Sequence, residues 1–287
     1  MMNTPLECCS ISDPLEKICT DLETRKTLED YNKIVILEKL SFSKGDLVVL
    51  GSRPGLGKTG LALSLTRKLA IEQNFPIGII SPETNRRYIT LRLLSQILEI
   101  EYEKLAYKPL PNADIARIKN ISKLLSKCPI YINDKRLISI NEIKESIIEM
   151  NSKYNAKIFF IDNIGLIQEI AVLQQEEDVE ITDECILRTG YFLAALKQLA
   201  AELNIVIVAL SQISRSPTGA VPSISSFKGL SPIIKEKADK VLLLNRYRTR
   251  EEKETTDFTL AIYENKSRNV HVITGRYFES YIRFDFN

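Results

Sequence analysis

Residues 45–60 read GDLVVLGSRPGLGKTG, and this stretch decides the fold. Leu47-Val48-Val49-Leu50 is an apolar run of strand type, and Leu61 to Ala70 carries apolar residues at helical spacing. Between them lies a loop rich in Gly and Pro that ends in Lys-Thr. Strand, glycine loop, Lys-Thr and helix, in that order, make a cradle for phosphate groups. Gly55 and Gly57 let the backbone curl so that successive N–H groups face inward at the start of the helix, whose partial positive charge adds to them. Lys58 then reaches the β- and γ-phosphates, and the Thr59 hydroxyl stands where it can ligate Mg²⁺. The predicted nucleotide-holding run is Ser52, Arg53, Pro54, Gly55, Leu56, Gly57, Lys58, Thr59 and Gly60. One departure is visible: the first glycine of the usual G-x-x-x-x-G-K-[ST] pattern falls on Ser52.

Outward from this loop the chain alternates. Ile77–Ile80 reads as a short buried strand ending at Ser81-Pro82-Glu83, and Asn85 to Leu98 as an amphipathic helix. Ile115 to Leu125 predicts a further helix and Pro129 to Ile132 a strand. Ser139 to Met150 is helical in pattern, with Ser139 and Glu142 spaced as a capping box. Lys157 to Asp162 is an apolar strand closed by one acid. A long helix over Ile186–Leu203 leads to the apolar strand Ile205–Leu210. Val241–Leu244, Phe258–Tyr263 and Tyr281–Phe286 add strands, the last closely spaced like hairpins. Apolar strands alternating with helices predict an α/β fold with a mostly parallel central sheet covered by helices.

Residues 1–43 differ in kind. Asp13 through Tyr31 has apolar points at Leu15, Ile18, Leu22 and Leu28 among many charges, and Asp13-Pro14 suits a helix start. This predicts an N-terminal helical arm or linker, packed on its own domain or on a neighbouring subunit, with the main domain over 44–287. At 287 residues and 44% hydrophobic content, the chain has room for one large domain plus such an appendage. A formal charge of +2 does not by itself imply nucleic acid. The five cysteines follow no metal-ligand spacing, and their odd number suits reduced thiols. With neither a leader pattern nor an apolar run of membrane length, the chain reads as cytoplasmic.

The phosphate loop needs a second acid for the metal, placed at the end of a neighbouring strand, and Asp162 has that form. Residue 163 is Asn, so an adjacent glutamate base is missing. Glu83 is the candidate in its place, because the strand ends of a parallel sheet open on the same edge as the phosphate loop. Gln212 ends the next strand, where an amide can sense the γ-phosphate; a simple strand cap fits that position equally well. Lys266 and Arg268 stand at alternate positions entering a turn. They suit either a solvated hairpin or a finger held toward a neighbour's nucleotide.

Taken together, GSRPGLGKT, SPET with a following LRLL, IYIND, FFIDNIGLI, LKQLAAELNIVIVALSQISRS and ENKSRN before YIRFDF resemble the C-terminal ATPase domain of DnaB-type replicative helicases. The resemblance runs from about Gly45 to the C-terminus, and that family places a small residue where Ser52 stands. It implies a RecA-like core assembled as a hexameric ring on single-stranded DNA, with ATP and Mg²⁺ bound between subunits. By position, it makes Lys58 and Thr59 the phosphate and Mg²⁺ groups, Glu83 the catalytic base, Asp162 the metal-associated acid and Gln212 the coupler to DNA. Lys266 and Arg268 would act on the neighbour's nucleotide, and Arg215, Lys228 and Gly229 fall where the family's central-channel DNA loops lie. A loader or primase is a further implied partner, although the family's N-terminal domain, which binds primase, has no counterpart in the 43 residues before the core.

Departures from the family bear on the DNA side. The family's Arg-Glu-Ser-Gly run is Lys228-Gly229-Leu230-Ser231-Pro232 here. Glu176, Glu177, Asp178, Glu180, Asp183 and Glu184 make an acidic segment that would repel a phosphate backbone. Lys228, Lys235, Lys237, Lys240, Arg246, Arg248 and Arg250 make a basic region that suits either phosphate contact or a solvated face. Two other readings fit the motifs: a RecA-like ATPase that remodels or loads a protein–DNA complex without unwinding, and a nucleotide-gated binding module.

Overall fold

The computed structural model describes residues 33–37, 39–167, 183–214, 221–227, 229–246, 255–265 and 269–287. The expected arm over Asp13–Tyr31 lies outside them, as do Arg215, Lys228, Lys266, Arg268 and most of the acidic segment.

An antiparallel pair, β1 (Lys33–Leu37) and β2 (Leu40–Ser43), precedes the main sheet. Among the described residues nine strands form that sheet. In chain order they are β3 (Leu47–Ser52), β4 (Ile77–Ile80), β5 (Ile130–Asn133), β6 (Ile158–Ile161), β7 (Val206–Gln212), β8 (Lys240–Arg246), β9 (Thr255–Glu264), β10 (Val270–Phe278) and β11 (Arg283–Phe286). Across the sheet the order is β11-β10-β9-β8-β3-β7-β6-β4-β5. The six strands from β8 to β5 run parallel, whereas β9, β10 and β11 return antiparallel as hairpins. The helices are α1 (Lys58–Thr66), continued as a π-turn over Arg67–Glu72, α2 (Arg86–Leu98), α3 (Tyr102–Tyr107), α4 (Asn112–Leu125), α5 (Ile140–Tyr154), α6 (Asp183–Leu203) and α7 (Ser231–Lys237).

The continuous apolar strands follow from burial on both faces. Leu47 and Val49 of β3 join one hydrophobic cluster with α5, α6 and α7, while Val48 and Leu50 join another with α1 and the β1–β2 pair. β6 and β7 divide the same way: Phe159 and Ile207 face one cluster, Phe160 and Val208 the other. The β1–β2 pair precedes the expected boundary at residue 44, yet its Ile34, Ile36, Leu40 and Phe42 share the core of the main domain. Its alternation (KIVIL, LSFS) is a strand signal that the charge-rich neighbourhood masks.

Most expected elements stand where the spacing puts them. Asn85 caps α2, its side chain accepting from the Tyr88 N–H at 3.1 Å. The capping box of α5 is formed in both directions: the Glu142 N–H donates to Ser139 Oγ at 3.2 Å, and the Ser139 N–H to Glu142 Oε2 at 2.9 Å. Three further elements were not expected, α3, α7 and β10. In α3 no residue is buried, so its six residues carry no apolar stripe to read. The buried face of β10 begins only at Ile273, and the exposed Val270, His271 and Val272 blur its alternation.

Candidate active site

The parallel strands end along one edge of the sheet, and β3 lies between β7 and β8 there. A cleft of about 560 Å³ opens on that edge. Its walls include Gly55, Gly57, Lys58, Thr59 and Gly60 from the phosphate loop, Glu83 after β4, Asp162 after β6 and Gln212 at the end of β7. The side chains predicted from strand-end position therefore meet the loop in one place.

The loop is built as its glycines require. Gly55 and Gly57 have φ of 73° and 94°, a region that residues with a Cβ avoid. Gly57 is also the N-cap of α1, and a Cβ there would sit 3.1 Å from Phe284 Cζ. Ser52 is fully buried at the end of β3, its hydroxyl donating to the Arg53 carbonyl at 3.0 Å. Leu56, within the loop, is also buried.

Lys58 is 8% exposed, and its burial lowers the pKa of its ammonium against the opposing pull of Asp162 and Glu83. The Thr59 hydroxyl donates to Asp162 Oδ2 at 2.6 Å. Asp162 is 3% exposed, and burial pushes its carboxyl up to about 6; the Thr59 hydrogen bond opposes the shift and the Glu83 charge adds to it. Its other oxygen, Oδ1, is buried with no hydrogen-bond partner among the described residues. A hydroxyl, one acid and an orphaned carboxylate oxygen beside a phosphate loop fit Mg²⁺, which takes one or two protein ligands and completes its shell with water and substrate phosphate.

Two neighbours of these residues escaped the sequence reading. Asn163 stands where an adjacent glutamate base is missing, and its side-chain Nδ2 donates to Glu83 Oε2 at 2.8 Å. Arg92, on α2, lines the cleft and raises no motif of its own; its guanidinium lies 5.7 Å from the Tyr102 ring centroid. Glu101, Tyr102 and Glu103 of the α2–α3 region and Tyr277, Glu279, Ser280 and Ile282 at the β10–β11 turn complete the walls. These two walls are tied by the Tyr102 N–H donating to the Ser280 carbonyl at 2.8 Å.

On the side assigned to DNA, only Gly229 is described. It has φ of 43°, and a Cβ there would meet Ile186 Cδ1 at 3.0 Å, so it packs on α6 rather than lining the cleft. The basic region contracts. Arg246 is 5% exposed, with its guanidinium carbon 4.0 Å from the Tyr277 ring centroid, and Lys240 pairs with Glu264 at 2.8 Å. Lys235 remains exposed.

Comparison with known proteins follows the same lines. The family model described as "DnaB-like helicase C terminal domain" matches residues 37–286. The chain is 28% identical over 245 residues to the replicative DNA helicase DnaB of Treponema pallidum, a match that covers 85% of this chain and 52% of that protein. It is 30% identical over 246 residues to a probable plasmid replicative DNA helicase of Chlamydia trachomatis, covering 85% of this chain and 49% of that one. The chain thus spans about half the length of these curated relatives. Among solved structures, one described as an ATPase domain superposes with a TM-score of 0.77 at 21% identity, covering 97% of this chain and 99% of that chain. A DnaB-like replicative helicase, described together with its interactions with primase, gives a TM-score of 0.73 at 20% identity, covering 97% of this chain and 67% of that one. Both share the fold.

Proposed function

The chain belongs to the family of DnaB-like helicase C-terminal domains, and from that premise we propose that it hydrolyses ATP at the subunit boundaries of a hexameric ring and uses the energy to move along single-stranded DNA as a DnaB-type helicase. The observation that carries this reading is the Thr59–Asp162 hydrogen bond, set beside Lys58 and Glu83 in one cleft on the phosphate-loop edge of the sheet.

Lys58 and the backbone N–H groups of the loop would hold the β- and γ-phosphates. Thr59 and Asp162 would hold Mg²⁺, which when bound neutralises charge on the phosphate oxygens. Glu83 would accept the proton of the attacking water, and its exposure at the cleft leaves it within reach of solvent. Gln212 ends β7 at the cleft, from which the chain runs on toward Arg215. It would report the state of the γ-phosphate to the DNA-binding segments, for which Arg215, Lys228 and Gly229 are the candidates. Lys266 and Arg268 would complete the neighbour's site. A loader or primase is the expected partner in the cytoplasm; no helix among the described residues is long and apolar enough to cross a membrane.

The test is the ATPase rate with and without single-stranded DNA, run beside a native mass measurement with bound nucleotide. DNA-stimulated hydrolysis by a ring, reduced at least about 10²-fold in Lys58→Ala, is expected. Hydrolysis unchanged in Lys58→Ala, or a strict monomer with nucleotide and DNA present, would overturn the proposal. A fork substrate left unseparated by an active ring would limit the function to translocation or remodelling.

A further inference from the structure

We propose that Asn163 is a positioning residue that aims the Glu83 carboxylate, an inference that rests on the assignment of Glu83 as the proton acceptor. β4 and β6 are parallel neighbours with Ile80 opposite Ile161, so Glu83 and Asn163 leave the sheet side by side. Asn163 is 4% exposed, and its amide orientation is determined by its contacts. Oδ1 accepts from the Gly165 N–H at 2.8 Å within the 3₁₀ turn Ile164–Leu166, which leaves Nδ2 to face Glu83 Oε2, also at 2.8 Å. A backbone N–H can only donate, so the amide cannot be turned around without losing both contacts.

Glu83 needs such a tether. Its side chain is exposed, and a free glutamate spreads over many rotamers, whereas proton transfer requires one oxygen within hydrogen-bond reach of the attacking water. Anchoring Oε2 confines the carboxylate and leaves Oε1 as the oxygen that takes the proton. Adjacent residues thus divide the work: Asp162 meets Thr59, and Asn163 meets Glu83.

The geometry also separates aiming from mere support of the turn. An aspartate at 163 keeps an oxygen for the Gly165 N–H but turns an acceptor toward Glu83, and a serine keeps a hydroxyl for the turn but does not reach Glu83. Steady-state ATP hydrolysis and nucleotide binding by fluorescence titration, measured on the full chain with saturating single-stranded DNA, decide between the roles. In Asn163→Asp and Asn163→Ser, kcat is expected to fall about 10²-fold, as for other small misplacements of a reacting group; in Asn163→Ser, which adds no charge, the nucleotide dissociation constant and Tm stay near wild type. Wild-type kcat in either folded variant, with Glu83→Gln inactive, overturns the positioning role. So does a fall in kcat in Asn163→Ser that is matched by an equal loss of nucleotide affinity. Wild-type turnover in Glu83→Gln instead overturns the assignment of Glu83 itself.

Discussion

Asp162 shows what a functional side chain does to its own fold. It is buried beside a second carboxylate, and burial lifts its pKa from an ordinary 3.8 to about 6. Between those two values the folded chain holds a proton that the unfolded chain has lost. The stability this group contributes is therefore full below about pH 4 and is lost as pH rises through about 6. Denaturant titrations of ligand-free protein from pH 4 to pH 7 should show Asp162→Asn gaining stability relative to wild type across that window. A difference independent of pH would refute it. At this scale the sequence was legible wherever a residue ends an apolar strand, as Glu83, Asp162 and Gln212 do. Arg92 was not, because which turn of a helix overlooks a cleft depends on how that helix packs. The contact of Asn163 was not legible for a similar reason: its partner lies 80 residues away.

Among the elements, β11 does more than close the sheet. The Phe284 N–H donates to Ser64 Oγ at 3.0 Å, and Gln96 of α2 donates from Nε2 to both the Gly60 carbonyl at 3.2 Å and the Ile282 carbonyl at 2.8 Å. Phe284 is fully buried, 5.0 Å between ring centroids from Phe258 and 4.5 Å from Tyr277, and it lies against the space a Gly57 side chain would fill. The C-terminal strand thus supports the phosphate loop and the first turns of α1 from behind. Phe284→Ala should lower unfolding stability by about 3–5 kcal/mol, the usual cost of emptying a buried aromatic site. Chemical denaturation measures it, and a loss under about 1 kcal/mol would show that the strand is not a support. The capping box of α5 could be read from Ser139 and Glu142 because it is local in sequence. The support by β11 joins Ser64 to Phe284 across 220 residues, and no local pattern announces it.

For the whole molecule, the cleft is open toward solvent, and the proposed trans-acting residues Lys266 and Arg268 lie beyond β9, outside the described residues. If each subunit lends these side chains to its neighbour, Arg268→Ala should abolish turnover while sparing ATP binding. Mixing Arg268→Ala with Glu83→Gln subunits should then restore a fraction of the activity, since some interfaces would pair an intact Glu83 with an intact Arg268. Hydrolysis rates across mixing ratios measure this. No recovery at any ratio, in rings shown by mass to be mixed, would sink the shared-site assignment.

The amino-acid sequence alone determined the α/β class, the phosphate loop, the strand-end acids and the resemblance to one family. Each is written in short-range patterns: apolar runs, a glycine loop, a residue type at a strand end. Only the tertiary structure decided that Ser52 is buried at the end of β3, that Arg246 turns inward under Tyr277, and that the β1–β2 pair belongs to the main core. It alone joined Asn163 to Glu83 and β11 to α1. These contacts link residues far apart in the chain, and packing rather than local preference selects which of them form.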